Sequence, residues 1–297
     1  MRKLLCAAAV LALAACNQTE AGSGNPAANT TQNEATNPAA SAGAQLSLVR
    51  LDCGKIAFKN FDKFFSDKPG LYTTGPKDVT DSCYVIRHGD QVMLWDTGLP
   101  AELKGSSYPM GDNGTMSLDK TIEEQLAQLN LKPEDIDIVG ISHSHGDHTG
   151  QTALFPNAKL IIGTADFKLA QEPSRPGGPN PIAPWMKDGA KVEKASGDVD
   201  VFGDGSVTML ELPGHTPDHH ALLVKLASGP VLLSGDLYHS TEAREKRGVP
   251  PFNTSREQTL QSMDKFEALA KELGAKVIIQ HEPNDISKLP TFPQAAQ

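Results

Sequence analysis

The chain has no basic patch. Its 27 lysines and arginines are outnumbered by 36 aspartates and glutamates, giving a formal net charge of −9 at pH 7. Nucleic acid is held by clustered cations, so an acidic exterior predicts no nucleic-acid partner. Apolar length is also limited: Leu4 to Ala15 forms an apolar stretch, but a membrane-spanning helix needs about 20 such residues. Cysteine is scarce, with four in 297 residues, and neither Cys53 nor Cys83 is a good candidate for a metal ligand. No convincing Ser-His-Asp arrangement is present, which leaves serine-nucleophile chemistry without a base. From residue 17 to about 45, large apolar side chains are almost missing. Such a segment cannot bury enough surface to offset its ordering, and a flexible tether is expected.

Ahead of the tether, Arg2 and Lys3 form a charged start to the apolar stretch, and Leu13-Ala14-Ala15-Cys16 looks like a bacterial lipobox. That likeness implies cleavage before Cys16 and lipidation of it, and Asn17 rather than Asp favours the outer membrane. The expected organisation is a signal peptide over 1–15, lipidated Cys16 with a linker over 16–45, and a folded domain over 46–297. The protein would be exported and held to the membrane by its lipid anchor at Cys16, facing periplasm or exterior. With Cys6 lost in the leader and Cys16 lipidated, Cys53 and Cys83 remain. An oxidising compartment permits a disulfide between them, and two free buried thiols are an equal alternative.

Histidine and aspartate carry the chemistry. Ser142-His143-Ser144-His145-Gly146-Asp147-His148 packs three imidazoles and a carboxylate into the six residues from His143 to His148. A core has no use for so many polar ligand groups together; a metal does. Asp137 to Ile141 reads as a buried strand leading into the cluster. His143 and His145 lie two apart and project to one side of an extended chain, while Asp147 and His148 fall where the chain turns into a helix. That spacing suggests two adjacent metal sites. Three more potential ligands each stand at the carboxyl end of a strand-like run: His215 after Val207–Leu212, Asp236 after Val231–Ser234, and His281 after Lys276–Gln280. Five imidazoles and two carboxylates make a donor set for two Zn2+ per chain, and other divalent transition metals suit the same donors.

His-x-His-x-Asp-His followed by separated His, Asp and His resembles the metallo-β-lactamase superfamily, and within it the N-acyl homoserine lactonases. The resemblance spans roughly residues 46 to 290. It implies that His143, His145 and His215 hold one ion, that Asp147, His148 and His281 hold the other, and that Asp236 bridges them. Asp96, in Leu94-Trp95-Asp96-Thr97-Gly98, matches the family's aspartate that orients ligands from behind. His219 is expected to have a supporting role, and His88 and His220 an ordinary surface or core one. The implied activity is opening of a small-molecule lactone ring by a hydroxide bridging the two ions, with Asp147 and Tyr238 counted as catalytic. Tyr238 departs from the family pattern. It stands two residues after Asp236, where known small lactonases have tyrosine three after, and His239 occupies that third position. The donor role therefore falls to Tyr238, to His239, or to neither. Dimers occur in the family. Other hydrolases of the fold (aryl ester or organophosphate hydrolases, β-lactamases) and a non-catalytic metal-binding lipoprotein are the alternatives.

Periodicity alone gives a mixed α/β chain; the four-layer αββα sandwich comes from the resemblance. Strands are expected over Leu46–Asp52, Cys83–Arg87, Val92–Asp96, Asp137–Ser142, Lys159–Gly163, Val207–Leu212, Ala221–Leu226, Val231–Ser234 and a last one before His281. Helices are expected over Thr121–Leu129 with a capping box, near Ala165–Gln171, and over Glu257–Leu273, stopped by Gly274. Two loops are expected to shape specificity. Leu99–Met116 brings Tyr108, Met110 and Met116, and Glu172–Gly189 brings Ile182, Trp185 and Met186.

Overall fold

Strict alternation along the early strands sorts two cores onto opposite faces of one sheet. The computed structural model describes residues 45–172 and 179–297; the expected leader, lipidated Cys16 and most of the tether lie outside the described residues. Strand β1 (Leu46–Phe58), β2 (Lys77–His88) and β3 (Gln91–Trp95) form an antiparallel meander. Leu51, Cys53, Cys83, Val85, Val92 and Leu94 face one way, and Leu48, Tyr84, Ile86, Met93 and Trp95 the other. β4 (Ser107–Pro109), β5 (Gly114–Ser117), β6 (Ile138–Gly140), β7 (Lys159–Gly163) and β8 (Val192–Ala195) complete an eight-stranded sheet in the order β4-β5-β1-β2-β3-β6-β7-β8. Its β3-β6-β7-β8 side is parallel.

The second sheet has five strands: β9 (Val199–Asp200), β10 (Val207–Glu211), β11 (His220–Leu226), β12 (Gly229–Leu233) and β13 (Lys276–Ile278). Met209, Leu222, Val224, Val231 and Leu233 pack against Tyr84, Met93 and Trp95 between the sheets. Helix α2 (Ile122–Gln128), with Ile122 and Leu126 buried, and α4 (Thr164–Leu169), through Phe167, cover the outer face of the first sheet. α6 (Arg256–Leu273) covers the second sheet with Met263, Phe266 and Ala270. Helix, sheet, sheet, helix is the expected four-layer sandwich. The local signals behave as read: Thr121 and Glu124 form the capping box, and α6 ends on Gly274 in the left-handed conformation (φ 59°). Cys53 and Cys83 are joined as a disulfide between β1 and β2.

Three short elements complete the fold: α1 (Phe61–Phe65), α3 (Gly146–Thr149) and α5 (Thr241–Lys246). The segment expected as the loop Leu99–Met116 contains the β4-β5 hairpin, which pairs through β5 with β1, Met116 opposite Ile56. The second expected loop is corrected as a wall of the site. Ile182 and Trp185 are buried in the outer core, where the Trp185 indole donates to the Ala158 carbonyl at 2.9 Å, and Met186 is half exposed away from the cavity described below. Residues 173–178 of that loop lie outside the described residues.

Candidate metal centre

The site lies where strand ends from both sheets meet. β6 stops at Gly140, and the chain runs through wholly buried Ser142 and His143 to His145, the N-cap of α3, which carries Asp147 and His148. His220 N donates to the Ser142 carbonyl at 2.8 Å, tying this turn to the second sheet. Asp166, fully buried on α4, accepts from Ser144 N (2.9 Å), Thr216 Oγ1 (2.9 Å) and Asp218 N (3.0 Å). One carboxylate thus fixes the His143–His145 turn relative to the His215 turn. Nothing in the local sequence marks Asp166; only the fold brings its three donors together.

The seven candidate ligands form two groups. In the first, His143 Nε2 lies 3.0 Å from His145 Nδ1, and His215 Nε2 lies 3.2 Å and 3.1 Å from those two atoms. Asp236 Oδ2 is 3.3 Å from His215 Nε2 and 3.6 Å from His143 Nε2. In the second, Asp147 Oδ2 is 4.0 Å from His148 Nε2 and 3.8 Å from His281 Nε2. Asp236 Oδ1 reaches into that group, 3.2 Å from His148 Nε2 and 2.9 Å from His281 Nε2. The two oxygens of Asp236 therefore face different groups. Tetrahedral ligands about 2.0–2.1 Å from a shared zinc would sit roughly 3.3 Å apart. Three imidazole nitrogens at 3.0–3.2 Å, with a carboxylate oxygen at 3.3–3.6 Å, fit that spacing, and their crowded lone pairs would otherwise repel.

Three of the inward nitrogens are aimed by a bond at the far side of their rings. His148 Nδ1 donates to Asp96 Oδ2 at 2.9 Å, His281 Nδ1 to the Thr80 carbonyl at 2.8 Å, and His215 Nδ1 to Asn253 Oδ1 at 2.9 Å. Asp96 is locked in turn by Ser142 N (2.7 Å), Ser142 Oγ (2.8 Å) and Gln280 Nε2 (3.0 Å). It holds a left-handed φ of 56° to do so, a conformation aspartate tolerates better than most residues. His219 supports the bridge: its Nδ1 donates to the Leu212 carbonyl (3.1 Å), which leaves Nε2 to accept from Asp236 N (3.0 Å). Gly235, at φ 51°, is needed beside it, because a Cβ there would meet His219 Nε2 at 2.6 Å.

A family model of the metallo-beta-lactamase superfamily matches residues 77–281. The chain belongs to that superfamily. Among curated relatives it is 31% identical over 214 residues to the N-acyl homoserine lactonase AttM of Rhizobium johnstonii, covering 67% of this chain and 81% of that protein. It is 33% identical over 175 residues to the AttM of Azorhizobium caulinodans, covering 57% of this chain and 66% of that one. The crystal structure of a quorum-quenching N-acyl homoserine lactone hydrolase superimposes with a TM-score of 0.70 at 21% identity, over 85% of this chain and 98% of the other. The protein is accordingly a metallo-beta-lactamase-fold hydrolase related to the lactonases.

Charge divides the two halves of this superfamily site. Burial holds His143 well below the usual imidazole range, takes His145 down to about 4, and lowers His215. Lowered values favour the neutral rings that metal ligation requires. Burial pulls the other two the same way, but the Asp236 carboxylate, with Asp96 and Asp147 for His148 and with Asp147 for His281, outweighs it. His148 is raised well above its ordinary value and His281 to about 9. Burial would raise Asp236, yet His281, His148 and His239 hold it well below the carboxylate range. Raised values favour protons on His148 and His281, which any cation bound by those rings would have to displace.

Above the centre of this lactonase relative opens a cavity of about 590 Å³. Asp147, Asp236, His239 and His281 are at its polar end, and Ile56, Phe58, Phe64, Phe65, Leu99 and Phe252 are among its apolar walls. Tyr108, Met110 and Met116 of the first expected loop line it as well. The α1 phenylalanines were not foreseen. The sequence signal was the N-cap Asn60, whose side chain accepts from Lys63 N at 3.0 Å, ahead of Phe61-Asp62-Lys63-Phe64-Phe65.

Tyr238 is not at the cavity, which corrects its expected catalytic role. Its phenol donates to Glu267 Oε1 at 3.0 Å and its ring packs edge-on to Phe266 of α6. Burial and the Glu267 carboxylate raise the phenol's pKa. His239 lines the cavity instead, its Nε2 3.1 Å from Asp236 Oδ2, its ring stacked on His281 and packed 4.3 Å from Phe65.

Proposed function

We propose that the chain hydrolyses the ring ester of N-acyl homoserine lactones with two divalent ions, zinc being the choice that imidazole and carboxylate donors favour. The observation that carries this reading is the pair of ligand groups sharing Asp236 at the floor of a single apolar cavity. The AttM relatives support it, as does the fold of a dizinc quorum-quenching lactonase, AidC, at a TM-score of 0.61 and 16% identity. His143, His145 and His215 would hold one ion, Asp147, His148 and His281 the other, and Asp236 both. When bound, such a pair supplies Lewis-acid activation of an ester carbonyl and a water of lowered pKa.

The chain's own residues do the rest. Asp96 keeps the proton of His148 on Nδ1, so that Nε2 remains a ligand. His239 donates from Nε2 to Asp236 Oδ2 at 3.1 Å at the polar end of the cavity, and that N–H would turn to an ester oxygen once the carboxylate is engaged by an ion. Phe58, Phe65, Met110 and Phe252 offer an apolar wall on which the acyl chain would lie, its burial contributing about 0.8 kcal/mol per methylene. Lactones with longer acyl chains should therefore have the lower KM.

Proton release by the zinc-loaded chain tests the reading against short- and long-chain N-acyl homoserine lactones, a β-lactam and an aryl phosphotriester. Chelator-sensitive acid release from the lactones, faster with the longer chain, is the expected result. Silence on lactones with turnover of the phosphotriester would transfer the site to that chemistry, for which four phenylalanines around the cavity (Phe58, Phe64, Phe65, Phe252) are also suited. Within the lactonase reading, His239→Ala should lower kcat on the order of 10²-fold, the usual cost of one oxyanion donor. Tyr238→Phe should leave kcat within about twofold and remove only about 1 kcal/mol of stability. The reverse ranking would return the donor role to Tyr238.

A further inference from the structure

Asp81 is a buried carboxyl without a hydrogen-bonding partner. Its residue is wholly inaccessible, and among the described residues neither Oδ1 nor Oδ2 finds a hydrogen-bond donor. Its position on β2 explains both facts. The hydroxyls of its neighbours Thr80 and Ser82 turn to the opposite face, where Arg50 donates to each at 2.8 Å, so that guanidinium is on the wrong side of the strand for Asp81. On Asp81's own face, Val79 lines the cavity and Cys83 enters the disulfide. Across the β1-β2 ladder it faces Gly54, at the register shift that follows Asp52, and there is no side chain opposite to answer it.

What lies near Asp81 is the second ligand group. Thr80, the preceding residue, accepts from His281 Nδ1 through its carbonyl at 2.8 Å and donates to the His281 carbonyl at 3.3 Å. The charges of His148 and His281 favour ionisation of Asp81, those of Asp147 and Asp96 oppose it, and burial outweighs them, holding the carboxyl well above its usual range. A carboxyl in such a place costs stability unless a positive charge compensates it. Gln280 Oε1, on the residue next to His281, is likewise buried and unpartnered. Unmet acceptors thus gather behind one of the two ligand groups.

We propose that Asp81 is a positioning residue for the second ion: its carboxylate lends negative charge behind Asp147, His148 and His281 and strengthens cation binding there without being a ligand. The assignment rests on the two-ion reading above. Two divalent ions would bring four positive charges, against which Asp147, Asp236 and, behind His148, Asp96 set three negative ones; Asp81, losing its proton as the second ion's charge arrives, would provide a fourth in a region closed to water. The same group destabilises the metal-free protein, so its effects before and after metal binding have opposite signs. A residue kept for packing would not behave that way.

Asp81→Asn, which preserves shape, separates these roles. Zinc is titrated into the metal-free full chain against a chromophoric chelator, and the metal-free forms are compared by denaturant unfolding. We expect the first zinc to bind as in the wild type and the second to bind about 10- to 100-fold more weakly, the range for groups that support ligands from behind. The metal-free variant should unfold at equal or higher denaturant, and Asp81→Leu should repeat the pattern if the asparagine variant folds poorly. Unchanged affinity for the second zinc overturns the proposal. So does equal weakening of both ions together with lost metal-free stability, and so does a wild type that takes up only one ion. The readout is metal affinity rather than turnover, so failure on lactones and failure of the Asp81 role are distinguishable.

Discussion

On the two-ion reading, Asp236→Ala is expected to lower kcat/KM by at least about 10³-fold, roughly 4 kcal/mol of transition-state stabilisation, and to cut bound zinc from two ions to one or none. The two carboxylate oxygens of Asp236 face different ligand groups, Oδ2 lying 3.3 Å from His215 Nε2 and Oδ1 2.9 Å from His281 Nε2. The variant should also reveal what Asp236 does without metal. Its carboxylate is held well below the usual aspartate range, so the stability it contributes is present above that range and lost as pH falls through its own lowered value. His281 is raised from 6.5 to about 9, so its share is fully present below 6.5 and lost as pH rises through about 9. The metal-free wild type should therefore exceed the variant in stability most clearly between roughly pH 4 and 6.5, with the gap narrowing past pH 9. Denaturant unfolding across that range, with metal analysis at neutral pH, checks both parts. Full turnover with two ions bound would remove Asp236 from the bridge.

The parts of the site legible in the sequence are those whose spacing is local. His143, His145, Asp147 and His148 declare themselves because a strand end followed by one helical turn needs no distant partner. β7 is found at Lys159–Gly163 as expected because an apolar run bounded by polar residues suffices to mark it. His215, Asp236 and His281 are joined to the cluster only by the fold, and in the sequence they were assignable by resemblance alone. What stayed hidden depends on tertiary contact. α1 has five residues, too few for a period to show, and its phenylalanines matter because they close over the cavity. β4 and β5 have three and four residues and exist by pairing with β1. Tyr238 and His239 differ by one position on an extended segment, and adjacent side chains there point opposite ways. The left-handed turn at Gly235 sets the phase, sending the tyrosine to α6 and the histidine to the cavity. Asp81, in Thr-Asp-Ser, looks like any polar strand residue until its neighbours prove to face Arg50.

Gly150→Ala is expected to destabilise the protein by about 2–3 kcal/mol, at the upper end for overpacking, and to weaken the second ion while leaving the first group's affinity nearer the wild type. Gly150 has ordinary helical angles (φ −60°, ψ −32°), so conformation does not demand glycine; space does. A Cβ there would press on Pro100 N, Gly98 O and Leu99 C, the last at 2.5 Å. All three are backbone atoms, which cannot rotate away. The loop they belong to begins with Asp96, whose Oδ2 holds His148 Nδ1 at 2.9 Å. It is clamped to α3 where Thr97 N and Oγ1 both donate to the His148 carbonyl, at 2.7 and 2.9 Å, and where Gly150 N donates to Gly98 O at 2.8 Å. One added methyl must therefore move the aspartate away from the histidine it orients. His143 and His145 precede α3, and His215 hangs from a different turn tied through Asp166, so the first group should feel the shift less. Unfolding of the metal-free variant and a two-step zinc titration measure the two effects separately. Wild-type stability with both ions bound at wild-type affinity would mean that the Asp96 loop yields freely, and that its contact with α3 does not hold His148 in place.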